Sequence, residues 1–263
     1  MTSRRTLAAL TLAILAGSVC AYAANRWAKY EREMQDPVND PPDADVDAEF
    51  TFARLRYRSP YNGRGFARWG TDANKSDYQF MIALNRLSRV NARSLEEIVD
   101  IDSDEIYNFP FLYGVKGGHW VLSDSQGLRL RNYLERGGFL VFDDFHNEDE
   151  WARFMEGVHQ ALPGKDYDEI PGNDPIFHVL HDMTDRIQVS GYNIVYGSPY
   201  ENGGITPHWR AVRDDKGRIV VAAWHNQDLG DAWEFADAPE YPERLATEAF
   251  KVGVNYIVYS LTH

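Results

Sequence analysis

The sequence predicts an α/β protein built as a three-layer sandwich, with helices on both faces of a mostly parallel sheet. In "LSDSQGLRLRNYLERGGFLVFDD", residues 122–144, a helical pattern, two glycines and a continuous apolar run follow one another. An apolar run without alternation is typical of a strand covered on both faces. Hydrophobic residues make up 44% of the chain, which is enough for a packed core.

The first half of the domain supplies strand, helix and two further strands. "FTFARLRYR", residues 50–58, alternates apolar and polar residues imperfectly, as expected for a first strand. "SDYQFMIALNRLSRV", residues 76–90, has helical spacing, with Ser76 as the expected N-cap. "EEIVDID" and "IYNFPFLYG" are predicted to be strands around a short loop.

The second half begins with the helix and strand described above. Ser123 is the expected N-cap of that helix, and Gly137 with Gly138 ends it. "GRIVVAAWHN" is predicted to be a strand that follows a "DDKG" turn. Two further helices are predicted, in "DEWARFMEGVHQAL" and in "PERLATEAFKVGVNYIVYSL", the second starting at Pro242.

The N-terminus predicts export to the periplasm or cell envelope. Arg4 and Arg5 precede an apolar run, and a small-x-small pattern ends at Ala23, so we assign residues 1–23 to an export signal. An uncleaved segment that anchors the chain in the membrane is the alternative. Residues 24–48 form an acidic, proline-rich linker, and residues 49–263 form a single domain.

Charge and cysteine content exclude several functions. The formal net charge of -13 argues against a nucleic-acid partner, because phosphate recognition requires clustered Lys and Arg. Cys20 is the only cysteine and lies inside the export signal. A processed chain would therefore have no disulfide and no cysteine nucleophile.

Several separated motifs resemble one protein family. "FPFLYG", "LSDSQGLRLRNYLERGGFLVFDDF", "NDPIFHVLHDM", "DLGDAWE" and "GVNYIVYSLTH" are similar to the bacterial domain-of-unknown-function family 4159. That resemblance implies a class I glutamine-amidotransferase-like, or flavodoxin-like, fold. The active amidotransferases of this fold use a cysteine nucleophile, which this chain lacks after Cys20, so cysteine-dependent glutamine hydrolysis is excluded.

Asp143 and Asp144 fall at the carboxyl end of the predicted strand "FLVFDD", and His146 lies two residues beyond Asp144. Ligands of open α/β sheets bind beyond the carboxyl ends of the strands, so these residues are candidates for ligand or metal binding. Successive strand residues point to opposite faces, so only one of the two aspartates should face a given crevice unless the backbone turns. The commoner alternative is that an aspartate caps the following helix or bonds loop amides.

Other candidates lie in three loops. His225 and Asp228, with Asp231 and Glu234, follow the strand "IVVAA"; an ordered loop whose aspartates bond their own backbone is the alternative. His119 follows two glycines, although a lone histidine beside a tryptophan is more often a loop or core residue. Arg64, in the arginine-rich loop after the first strand, is a candidate for binding a carboxylate or phosphate, or for pairing with acidic residues.

These patterns predict an exported, non-catalytic amidotransferase-like domain that binds a ligand or protein partner at the cell envelope. No cofactor is expected for that function. The alternative is a metal-assisted hydrolase of an envelope glycan or amide, in which Asp144, His146, His225 and Asp228 hold a divalent cation. It requires the loops "FDDFH" and "WHNQD" to converge. A carbohydrate-binding domain that uses its many aromatic residues is a third, weaker hypothesis.

Overall fold

A computed structural model describes residues 30–60 and 66–263. The predicted export signal, the start of the linker and Arg64 lie outside these ranges. No helix within them is both long and apolar enough to cross a membrane.

The described residues contain seven strands and five α-helices. The strands are β1 Ala53–Arg56, β2 Glu97–Asp100, β3 Phe111–Val115, β4 Phe139–Phe145, β5 Tyr167–Glu169, β6 His208–Arg213 and β7 Ile219–His225. The helices are α1 Lys75–Leu87, α2 Asp124–Glu135, α3 Asn147–Ala161, α4 Leu229–Glu234 and α5 Glu243–Thr262.

The strands form one sheet in the order β2-β1-β3-β4-β7-β6-β5. The first five in that order are parallel neighbours, and they follow the 2-1-3-4-5 order of doubly wound sheets. Strand β6 is antiparallel to both of its neighbours and was not predicted, nor was β5. The predicted mostly parallel α/β sheet is therefore confirmed, with one reversed strand near its edge.

Helices cover both faces of the sheet. On one face α1 packs against α4 and α5, and the rings of Phe80 and Trp233 stack at 4.3 Å. On the other face α2 packs against α3, and Phe154 lies 5.3 Å from Phe142 of the sheet. Each face has its own buried apolar cluster, which gives the three layers that the sequence predicts.

Local sequence patterns explain where α2 begins and ends, but not where α1 begins. Ser123 accepts a hydrogen bond from the backbone of Gln126, whose side chain bonds back to the Ser123 backbone, so α2 starts with a capping box. Gly137, at φ 104°, follows the end of α2 as predicted. The Ser76 prediction is wrong, because α1 already begins at Lys75 and the Ser76 hydroxyl accepts a hydrogen bond from Arg54 instead.

Part of the predicted linker contacts the domain. The Glu33 carboxylate accepts hydrogen bonds from Arg56 and from the indole of Trp69, at 2.8 Å each. Met34 is buried, and the amide of Gln35 donates to the carbonyl of Gly70. These contacts hold residues 33–35 against the segment that follows β1.

A buried arginine fixes the connection between β1 and α1. Arg54 forms two hydrogen bonds to the Asp77 carboxylate, at 2.6 and 2.7 Å, and both side chains are fully buried. Its guanidinium also donates to the carbonyls of Trp69 and Thr71. The planar, multiply donating guanidinium suits such a junction, because it can bond two carbonyls and a carboxylate at once.

We expect Arg54→Met to lower the free energy of unfolding by about 3–5 kcal/mol, because it leaves the Asp77 carboxylate buried without its partner. Chemical denaturation measures this change. The control Arg129→Met removes an ion pair to the exposed Asp104 and should cost less than about 1 kcal/mol. Equal losses in the two variants would contradict this account, and adding Asp77→Leu to Arg54→Met should restore much of the stability.

Candidate functional site

The candidate site lies at the carboxyl ends of four adjacent strands. The connections that follow β1, β3 and β7 supply Asp72, Lys116 and Asp228, and Asp144 lies near the end of β4. Parallel strands end at the same edge of a sheet, so residues far apart in sequence meet there. We refer to six acidic residues at this edge as the carboxylate cluster: Asp72, Asp144, Glu201, Asp228, Asp231 and Glu234.

Asp143 and Asp144 have different roles because the backbone turns between them. Asp144 has φ 52°, in the left-handed region, and the pairing of β4 with β7 shifts register between Phe142 and Phe145. The Asp143 carboxylate accepts hydrogen bonds from the Tyr113 hydroxyl at 3.1 Å and the Gly230 amide at 2.7 Å. Asp143 thus connects β3, β4 and α4, and Asp144 belongs to the cluster.

Asp144 lies between two basic side chains. Lys116 donates to Asp144 Oδ1 at 2.5 Å, and Nε2 of His146 lies 3.2 Å from the same oxygen. Burial opposes ionisation of Asp144, but Lys116 and the His146 hydrogen bond outweigh it and lower the pKa of Asp144. Asp144 Oδ2 is buried and has no hydrogen-bond partner among the described residues. Asp144 and His146, two of the candidate ligands, are thus in direct contact.

Asp72, Asp144 and Asp228 form the most buried part of the cluster. One ligand oxygen from each lies within 4.8 Å of the other two, and all three side chains are buried. Burial, and then the charges of Asp231 and Asp144, raise the pKa of Asp72. Burial followed by the charge of Asp144 raises the pKa of Asp228 as well. Close packing of like charges therefore disfavours full ionisation of this group without a cation.

The rest of the cluster surrounds this triad. Asp231 and Glu234 lie three residues apart on α4, and each offers an oxygen within 4.8 Å of the other and of Asp72. Burial and the charge of Asp231 raise the pKa of Glu234 to about 7. Glu201 approaches from the loop before β6, with Oε2 3.8 Å from Nε2 of His146.

A glycine allows these carboxylates to converge. A Cβ atom at Gly191 would lie 2.3 Å from Glu201 Oε1, 2.7 Å from Asp228 Oδ2 and 2.8 Å from Asp231 Oδ2. Such distances are far shorter than a carbon–oxygen contact allows, so a side chain at this position would push the carboxylates apart. The Gly191 position is therefore part of the site's architecture.

His225 is not in the carboxylate cluster, although it was a candidate ligand there. Its Nε2 lies 2.9 Å from the carbonyl of Asn147, and its Nδ1 lies 2.9 Å from Arg210 Nη1. Burial lowers the pKa of His225 to about 3, which keeps the ring neutral. His225 lies near Glu148 and His208, but both of its nitrogens already have protein partners.

The structure also shows the surroundings of His119 and the residue that caps α3. His119 lies beside Glu150, with Nε2 3.6 Å from Oε1, and burial lowers its pKa to about 4. Neither Asp143 nor Asp144 caps α3. The Asn147 side chain accepts from the amides of Asp149 and Glu150 instead, so the helix-capping part of that alternative is wrong. Asp143 does bond a backbone amide, that of Gly230.

Sequence reasoning missed three residues of the site, namely Asp72, Lys116 and Glu201. Asp72 and Glu201 lie in irregular segments where no periodicity indicates which side chains point inward. Lys116 carried a signal that was overlooked, because it directly follows β3 and precedes the Gly117–Gly118 pair. Lys116 lies at the carboxyl end of a buried parallel strand, and the same kind of position made Asp144 a candidate site residue.

The family comparison agrees with the resemblance read from the motifs. The family model of DUF4159, a domain of unknown function, matches residues 51–261. The chain therefore belongs to this family. A search of the curated proteins finds no significant match.

We expect Asp72→Asn to stabilise the protein in the presence of a chelator at pH 8, by on the order of 1 kcal/mol. A raised pKa in the folded state means that the ionised acid opposes folding as the pH rises through that pKa, and Asn removes the charge while keeping the shape. Urea denaturation measures the effect. The exposed Asp185→Asn is the control and should change little. A clear loss of stability in Asp72→Asn would contradict the repulsion that we infer.

Proposed function

We propose that this chain is a divalent-cation-dependent hydrolase of the cell envelope. The observation that carries the proposal is the triad of Asp72, Asp144 and Asp228, which places three buried carboxylates around one point. The export pattern of residues 1–23 supports the envelope location, and a glycan or amide there is the proposed substrate.

Unsatisfied oxygens support the proposal of a cation in the triad. Asp72 Oδ2 and Asp144 Oδ2 are both buried and have no hydrogen-bond partner among the described residues. A buried carboxylate oxygen without a partner is costly, and a cation removes that cost. An all-oxygen ligand set favours hard cations such as Mg²⁺, Mn²⁺ or Ca²⁺.

The surroundings of the triad support hydrolysis. A bound divalent cation lowers the pKa of a coordinated water, which makes hydroxide available near neutral pH. In this proposal Lys116, which is bonded to Asp144, would supply a positive charge beside the cation to stabilise negative charge that develops on a carbonyl or similar group. The loops "FDDFH" and "WHNQD" converge through Asp144 and Asp228, as this function requires, but without His225.

An exported domain that binds a ligand or protein partner without catalysis is the second candidate. The lack of any cysteine after Cys20 favours it, because the amidotransferase-like fold that we propose for this family usually acts through a cysteine nucleophile. In that function the cation would stabilise the site or contact the ligand, and no bond would be broken.

We expect Mg²⁺, Mn²⁺ or Ca²⁺ to raise the thermal unfolding midpoint above its value in EDTA. A cation present at a hundred times its Kd stabilises a protein by about 2.7 kcal/mol. The shift should be lost in Asp144→Asn and retained in Asp185→Asn. The same proteins are then assayed, with the stabilising cation, against ester, amide and glycoside substrates.

The outcomes separate the two candidates. A cation-dependent shift together with hydrolysis that Asp144→Asn abolishes supports the hydrolase. A shift without turnover favours the binding domain. If no cation changes the unfolding midpoint, the cation-dependent function is wrong.

A further inference from the structure

A second group of ligands lies beside the proposed cation site. Oxygens of Asp72, Asp231 and Glu234 lie within 4.8 Å of one another, and Asp72 also belongs to the triad with Asp144 and Asp228. We propose that the carboxylate cluster holds two divalent cations that share Asp72 as a bridging ligand. This inference rests on the proposed function and extends it, since one cation would suffice for the triad alone.

Unpartnered oxygens point to the second position. Glu234 Oε2 has no hydrogen-bond partner among the described residues, and Glu234 is only 4% exposed. Asp72 Oδ2 is likewise buried without a partner. Each group of three therefore has an unpartnered buried oxygen of its own, Asp144 Oδ2 in the triad and Glu234 Oε2 in the second group, in addition to the shared Asp72 Oδ2.

A different neighbouring group is less suited to the second cation. Glu201, Asp228 and Asp231 also place oxygens within 4.8 Å of one another. None of these three residues has a buried carboxylate oxygen without a hydrogen-bond partner among the described residues, and Asp228 Oδ1 already accepts a hydrogen bond from the Asp231 amide at 2.9 Å. The geometry therefore favours Asp231 and Glu234, with Asp72, as the ligands of the second cation.

Charge balance also favours two cations. Six carboxylates form the cluster, and Lys116 is directly bonded to one of them. If all six were ionised, one divalent cation with Lys116 would leave three negative charges uncompensated, and a second cation would reduce the excess to one. Because the dielectric constant is low inside a protein, this difference in uncompensated charge matters.

The bridging residue is held in position before any cation binds. Asp72 has φ 60°, and the carbonyl of the preceding Thr71 accepts a hydrogen bond from the buried Arg54. The α4 segment is tied to the sheet through the Gly230 amide, which donates to Asp143. Both sides of the second site are thus fixed by buried hydrogen bonds, which lowers the free energy needed to organise the ligands.

The test uses Mn²⁺ and the full chain. Bound Mn²⁺ is counted by equilibrium dialysis with elemental analysis, and the coupling between ions is read from the electron paramagnetic resonance spectrum. Two ions that share a carboxylate lie roughly 3.5–4 Å apart and should give an exchange-coupled spectrum. We expect two Mn²⁺ per chain in the wild type, and one, with an uncoupled spectrum, in Glu234→Gln.

Controls keep the outcomes distinct. Glu156→Gln changes an exposed residue of α3 and should retain both ions and the coupling. If Glu234→Gln does not fold, as judged by circular dichroism, Asp231→Asn tests the same site. One ion per chain in the wild type would overturn the two-cation inference while leaving the proposed function intact. No bound ion would overturn both.

Discussion

The buried guanidinium of Arg54 is the interaction on which the geometry of the site depends. It joins the first strand to the start of α1 through Asp77, and it holds the intervening segment by bonding the carbonyls of Trp69 and Thr71. That segment carries Asp72. A fully buried charge is tolerated only when its donors are satisfied, and Arg54 bonds two carbonyls, a hydroxyl and a carboxylate. The position of Asp72 therefore follows from a structural ion pair outside the cluster.

A comparable division of labour exists within the pair Asp143 and Asp144. Asp143 is bonded to Tyr113 and to the Gly230 amide, so it positions α4, which carries Asp231 and Glu234. Asp144 turns toward Lys116 because its backbone adopts the left-handed conformation. Asp143 thus stabilises the scaffold, and Asp144 is positioned to be a ligand of the proposed cation. Strand alternation alone would direct the two side chains to opposite faces of the sheet. The turn at Asp144 is what directs its carboxylate into the cluster.

Much of the fold could be predicted from the sequence because its signals are local. The apolar run of β4 and the capping box at Ser123 depend on neighbouring residues only. The convergence of Asp144 with Asp228 was also predictable, since Asp144 lies at the carboxyl end of one buried parallel strand and Asp228 follows another. Asp72 and Glu201 could not be predicted, because their positions depend on long-range contacts such as the Arg54 hydrogen bonds. His225 was wrongly predicted to join Asp228 in one site because the two are close in sequence. In the structure its ring nitrogens contact Arg210 and the Asn147 carbonyl instead.

The electrostatics of the cluster connects folding to cation binding. The proposed ligands come from the segments after β1 and β7, from the end of β4 and from α4, so they are close together only when the sheet and the helical layer that contains α4 have formed. Folding without a cation brings like charges together, and the raised pKa values of Asp72 and Asp228 express that opposition. A cation that binds the folded cluster more tightly than the unfolded chain stabilises the folded state, because its binding free energy adds to the free energy of folding. The carboxylates that make the sheet edge unfavourable on its own are therefore the ones that would make it selective for a divalent ion.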